Sequence, residues 1–133
     1  MGQRLPDISF DPSGFARFQT RYHGEVRLSK SKWDRICSEP ERTYYRANGD
    51  KLGTTLINPD NVRHSSHYPK QFHYYKKFAT MKLNESLEVP TGNFPFPYFC
   101  VIIDETTGRV CTSYPVSKPK PGKEYKAKNE KGA

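Results

Sequence analysis

The sequence predicts an α+β fold in which helices come first and an antiparallel sheet follows, and three observations carry that reading. Ser29 and Ser31 stand before residues 32–37, where Trp33, Ile36 and Cys37 fall on one helical face. Asn58-Pro59-Asp60 then stops the helical pattern, because the proline ring disfavours the α region for the residue before it. Beyond that proline the apolar period changes to two. It ends in residues 98–104 and 109–114, joined by Glu105-Thr106-Thr107-Gly108, the clearest hairpin in the chain.

Taken in order, residues 1–24 mix Pro6, Pro12 and Gly14 with Phe10, Phe15 and Phe18 at no clear period, so they read as an N-terminal arm. Residues 25–28 suit a short strand leading into the capped helix. Pro40 can open a second helix over 41–47, which Asn48-Gly49 ends, and Leu52, Leu56 and Ile57 add a further helical turn or two. Residues 62–66 and 71–78 are the next candidate strands. Residues 79–97, with Pro90, Gly92, Pro95 and Pro97, read as an insertion holding a small hairpin around 89–93. If Asp104 opposes Arg109, unbroken alternation sets Thr112 against Val101 and Tyr114 against Phe99. Thr112 and Tyr114 then share a face with Val101, Ile103 and Val110, while Cys100, Ile102 and Cys111 take the other. These elements make a single domain over 25–116. From Ser117 onward six lysines stand against two glutamates, which suits a flexible cationic tail over 117–133.

The 133 residues carry a net charge of +8 and an apolar fraction of only 34%, yet one Trp, nine Tyr and eight Phe supply enough bulk for a core. That charge favours polyanions such as RNA, DNA, an acidic protein or an anionic membrane surface. No apolar run approaches the roughly 20 residues that span a bilayer, and no apolar leader opens the chain, so the expected location is cytoplasmic with no membrane partner. Cys37, Cys100 and Cys111 are odd in number and form no CxxC pair, which argues for free thiols rather than a disulfide framework or a zinc knuckle. HExxH, CxxC and GxSxG spacings are all missing. The acidic residues are dispersed, so neither a metal site nor a serine nucleophile is expected.

The chemistry concentrates between Asn61 and Asn84. This stretch holds no acidic residue, but it carries Arg63, Lys70, Lys76, Lys77 and Lys82, three of the four histidines (His64, His67 and His73), and five aromatics (Tyr68, Phe72, Tyr74, Tyr75 and Phe78). Cationic side chains neutralise phosphates, aromatic faces stack on bases, and a histidine moves a proton near neutral pH. In QFHYYKKF the alternation sends Phe72, Tyr74, Lys76 and Phe78 to one face and Gln71, His73, Tyr75 and Lys77 to the other.

Four strings, in their order, resemble the small RNase toxins of the Barnase-EndoU-colicin-RelE superfamily, especially the members associated with phages and mobile elements. They are EVRLSKSKWDRI, LINPDNVRHS, FHYYKKF and VIIDETTGRVCTSYP, and together they cover roughly residues 25–118. The resemblance implies N-terminal helices packed on a four-stranded antiparallel sheet, and RNA cleavage by general acid/base chemistry with no metal or other cofactor. It also implies an acidic antitoxin or immunity partner, which a basic cleft would attract. It matches the lysine of the basic strand and the Thr-x-Tyr of the last strand to active-site positions, giving Lys76 and Thr112, with Tyr114 beside them. His64 is the preferred acid/base, with His67 and His73 behind it. Arg63, Ser65, His67, His73, Tyr74, Tyr75 and Lys77 are the expected RNA-binding residues. Where many relatives carry a histidine in the first helix, this chain has Lys30, Lys32, Trp33 and Arg35. Two rival readings keep the same residues without catalysis: a nucleic-acid-binding module, and a phage structural or accessory protein.

Overall fold

A computed structural model describes residues 8–36, 48–65, 68–84, 87–93 and 97–119. It corrects the expected architecture. The core is a curled six-stranded mixed sheet, not a four-stranded antiparallel one, and only two short helices pack on it among the described residues. The strands are β1 (Phe15–Gln19), β2 (Glu25–Ser29), β3 (Asn61–His64), β4 (Gln71–Lys77), β7 (Tyr98–Asp104) and β8 (Arg109–Val116), in the spatial order β1-β2-β8-β7-β4-β3. Strands β5 (Thr80–Asn84) and β6 (Leu87–Pro90) form a separate hairpin, followed by a 3₁₀ turn at Thr91–Asn93. The helices are α1 (Lys30–Ile36) and α2 (Gly49–Ile57). The expected helix over 41–47 lies outside the described residues, as do Cys37 and residues 120–133.

The sheet gains one strand from the segment read as an arm. Phe15–Gln19 pairs antiparallel with β2 from Phe15↔Ser29 to Gln19↔Glu25, sending Ala16 and Phe18 toward the core. With Arg17 and Gln19 on the other face, the strand alternates correctly, but five residues are too few for the period to stand out beside Pro12 and Gly14. The tight β1–β2 connection uses Gly24 at φ +68, and Thr20 closes it by donating its hydroxyl to the Gly24 carbonyl at 2.7 Å. Strand β2 then lies parallel to β8, in register at Arg27↔Arg109, and this pairing makes the sheet mixed.

Both helices cover one face. Leu52 and Leu56 of α2 and Trp33 and Ile36 of α1 meet Val26, Leu28, Val62, Phe72, Tyr74, Phe99, Val101, Ile103 and Val110 in the main core. Ser29 caps α1 by accepting the Lys32 N–H at 3.0 Å, one of the two capping residues expected. Asn48, fully buried before α2, accepts the Lys82 N–H at 2.9 Å and donates to the Lys82 carbonyl at 2.7 Å. Those two bonds tie the β5–β6 hairpin to the helix. Among the described residues no helix is long and apolar enough to cross a membrane.

The final hairpin departs from the expected register at one residue. Asp104 opposes Arg109 and Ile103 opposes Val110, as the alternation requires, but Ile102 opposes Thr112, Val101 opposes Ser113 and Cys100 opposes Tyr114. Cys111 is the extra residue of a β-bulge. One inserted residue reverses every side chain after it, so Thr112 and Tyr114 leave the helix-covered face and Ser113 and Pro115 turn into it.

Candidate functional site

The bulge assembles a site on the sheet face opposite α1 and α2. Reading across β3, β4, β7 and β8, the register forms one row from Arg63 through His73 and Ile102 to Thr112, and a second from Asn61 through Tyr75 and Cys100 to Tyr114. A third row joins Lys77, Tyr98 and Val116. Adjacent strands are roughly 4.8 Å apart, so each row brings its side chains into one contiguous patch. Tyr75, Cys100 and Ile102 form its apolar floor, with Tyr98, Cys111, Tyr114 and Val116 packed around them. The residues of this second cluster all come from strands.

Each polar member has a reason for its position. Tyr75 is fully buried, so its ring serves as floor, and its hydroxyl hydrogen-bonds His73 Nδ1 at 3.2 Å. That bond restrains the imidazole on a half-buried surface. Arg63 is set by Nε donation to Asn61 Oδ1 at 2.7 Å along its own strand. Lys77, exposed at the end of β4, has its backbone N–H bonded to Asp60 Oδ2 at 2.8 Å. Aromatic side chains with partial exposure, cations and a histidine thus share one sheet face, a pattern suited to stacking bases and neutralising phosphates.

Of the residues anticipated from sequence, the structure collects Arg63, His73, Tyr75, Lys77, Thr112 and Tyr114 on this face. Tyr74 points the other way and is fully buried in the main core. Lys76 also faces the helix side, where its ammonium lies 3.5 Å from Asp60 Oδ1. Ser65 follows β3, donating its N–H to the Gln71 carbonyl and accepting the Tyr68 N–H. His67 lies outside the described residues.

His64 also belongs to the helix side. Its ring stacks flat on Phe72 at 4.5 Å, and its Nε2 bonds the Pro69 carbonyl at 2.5 Å. A carbonyl only accepts, so Nε2 carries the proton. His64 is therefore separated from Thr112 and Tyr114 by the thickness of the sheet. Phe72 also meets His23, the one histidine outside the basic stretch, whose ring lies 4.3 Å from it and whose Nδ1 is 2.5 Å from the Tyr74 hydroxyl. Burial holds the His23 pKa below its ordinary value, with the nearby His64 adding to that effect and Glu105 opposing it. Sequence reasoning had no means of bringing together two histidines 41 positions apart, because both meet Phe72 only once the β1–β2 turn folds against β4.

Among the described residues no three His, Cys, Asp or Glu side chains converge as metal ligands. No protein-family model, curated protein or solved structure matches the chain.

Proposed function

We propose that the chain is a metal-independent endoribonuclease that lays single-stranded RNA across the sheet face opposite α1 and α2. The observation that carries this reading is the row Arg63–His73–Ile102–Thr112, which puts a cation, a proton-transfer group and a hydroxyl side by side beside the exposed parts of Tyr98 and Tyr114. Stacking on the tyrosines would hold the bases. His73 would take the 2′-hydroxyl proton as that oxygen attacks phosphorus, Arg63 and Lys77 would stabilise the added negative charge, and the Tyr114 hydroxyl would donate its proton to the 5′-oxygen as the P–O5′ bond breaks. The products would be a 2′,3′-cyclic phosphate and a 5′-hydroxyl. The resemblance of the four strings to the toxin superfamily supports the same activity class, and with it an acidic antitoxin partner, although their activity here falls on His73 rather than His64.

The second reading is an RNA-binding module that does not cut. The observation favouring it is that His73 is the sole histidine on this face among the described residues, whereas acid/base cleavage uses two proton-transfer groups. Incubating end-labelled RNA with the protein in EDTA, alongside His73→Gln, separates the two. Discrete cuts ending in cyclic phosphate and lost in the variant support the nuclease. Intact RNA with salt-sensitive gel shifts leaves the binding module.

A further inference from the structure

The two halves of the sheet meet where β2 lies parallel to β8, and they are in register at Arg27↔Arg109. After Ser29 the chain leaves the sheet to form α1, while β8 runs on to Val116. The strands separate there and leave a cleft of about 510 Å³, lined by Ser29, Lys32, Asp104, Thr107, Arg109 and Cys111 among others.

The charge around this cleft is unbalanced. Arg27 and Arg109 both lie over the ring of Phe15, at 5.4 and 4.9 Å from its centroid, so two guanidinium groups are held close together by one aromatic side chain. Lys32 adds a third cation. Among the described residues no carboxylate lies within ion-pair distance of any of the three, although Arg17 nearby is bridged by both Asp11 and Glu25. Asp104 is the carboxylate in the lining, and its Oδ1 accepts the Thr106 and Thr107 N–H groups at 2.8 and 3.1 Å, inside its own turn. Three cations around one carboxylate leave the cleft with a net positive charge, and an anion placed between them lowers their mutual repulsion. Stacking also pre-orients the Arg109 fork, whose planar donors match an oxyanion. Cys111 brings no competing negative charge: burial foremost, then Asp104, pushes its thiol pKa up, against the pull of Lys32, so the thiol stays protonated.

We infer that this cleft is a phosphate subsite, in which Lys32 and Arg109 grip the oxygens and the Ser29 and Thr107 hydroxyls donate to them. The inference rests on the RNA reading only for the identity of the natural ligand. Arg109 belongs to β8, two strands from His73 on β4 and a few residues along, a separation on the order of 12 Å. A single strand bound at His73 reaches it within a few nucleotides, so the subsite makes the protein prefer oligonucleotides over dinucleotides.

The test uses the full chain, isotope-labelled, titrated with AMP, inorganic phosphate and adenosine while amide resonances are followed. Shifts at Ser29, Lys32, Thr107 and Arg109 are expected with AMP and phosphate and not with adenosine, and Lys32→Gln combined with Arg109→Gln is expected to weaken AMP at least tenfold with the remaining spectrum unchanged. For an RNA decamer, the same double variant lowers the slope of log affinity against log salt by about 1.4, since each phosphate contact to a single strand contributes about 0.7. Unmoved cleft resonances at millimolar AMP, or AMP affinity indifferent to the double variant, overturn the subsite. Arg63→Gln provides the separation from the function itself: it weakens RNA while leaving the AMP shifts intact. If wild-type protein ignores RNA but AMP still fills the cleft, the RNA reading falls and the subsite stands as a site for a free phosphate ester.

Discussion

His73 and Thr112 stand in the same cross-strand row, two strands apart, with Ile102 between them. Their Cα atoms are therefore separated by about 10 Å, close enough for both side chains to touch one nucleotide. A proton-transfer group typically contributes between about 10² and 10⁴ in rate. His73→Gln is accordingly expected to lower the RNA cleavage rate in EDTA by at least about 10²-fold, and Thr112→Val, which keeps the shape and removes the hydroxyl, by about tenfold. Cleavage unaffected by His73→Gln would remove this face from the chemistry.

Lys76 and Lys77 are neighbours in sequence and opposites in role. Lys76 lies on the helix side within 3.5 Å of Asp60, while Lys77 is exposed beside Tyr98 on the face that carries His73. Lys77→Gln is expected to lower the salt slope of RNA binding by about 0.7, the contribution of one phosphate contact. Lys76→Gln leaves that slope unchanged and shifts stability by no more than about 1 kcal/mol, the usual range for an ion pair with one exposed partner. Fluorescence anisotropy at several salt concentrations reads the first effect and urea unfolding the second.

QFHYYKKF and YFCVIID were legible because each lies between turn signals, and both form where the pattern put them; β5 and β6 were not, since the hairpin expected around 89–93 instead pairs 80–84 with 87–90 and leaves 91–93 as a 3₁₀ turn. The helix cap at Ser29 was equally local, and so was the Asp104↔Arg109 pairing that starts the last hairpin. What the sequence hid was non-local. Phe15–Gln19 becomes a strand only because β2 offers its edge, and β2 joins the sheet only because β8 lies parallel to it. For the site, the basic aromatic stretch was visible, but the choice of face was not. Strict alternation put Thr112 with Val101, and it takes one bulged residue to move the hydroxyl to the face that carries His73.

His23 gives the fold a specific pH dependence. Its folded pKa lies below the ordinary 6.5 because burial disfavours the imidazolium, so in the interval between the two values the unfolded chain binds more protons than the folded one. The His23 contribution is fully present above about 6.5 and is lost as pH falls from there through the folded value. Asp11, held well below the usual carboxylate range by the Ser13 side chain and the Phe15 amide and then by Arg17, loses its contribution only at much lower pH. Thermal melts between pH 7.5 and 5 therefore isolate the histidines, and His23→Gln is expected to flatten that part of the curve. An unchanged slope in the variant would show that the His23–Tyr74 contact does not control acid sensitivity.

The bulge at Cys111 makes the most demanding prediction. Removing Cys111 leaves Val110 opposite Ile103 and allows Thr112 to follow directly opposite Ile102, so the ladder becomes continuous with every later side chain on its present face. The deletion sacrifices local twist and a partly buried thiol, a cost of about 1–3 kcal/mol, and RNA affinity is retained within a few fold. Removing Ser113 instead carries Tyr114 into the position opposite Val101, beneath the helices, and turns Pro115 outward. A tyrosine forced into a filled core, together with reversal of the remaining strand, exceeds the stability of an ordinary domain of this size. Circular dichroism melts of the two deletions are expected to show a cooperative transition for the first and none for the second. If both unfold alike, the extra residue is required by the fold itself rather than by the placement of Thr112 and Tyr114.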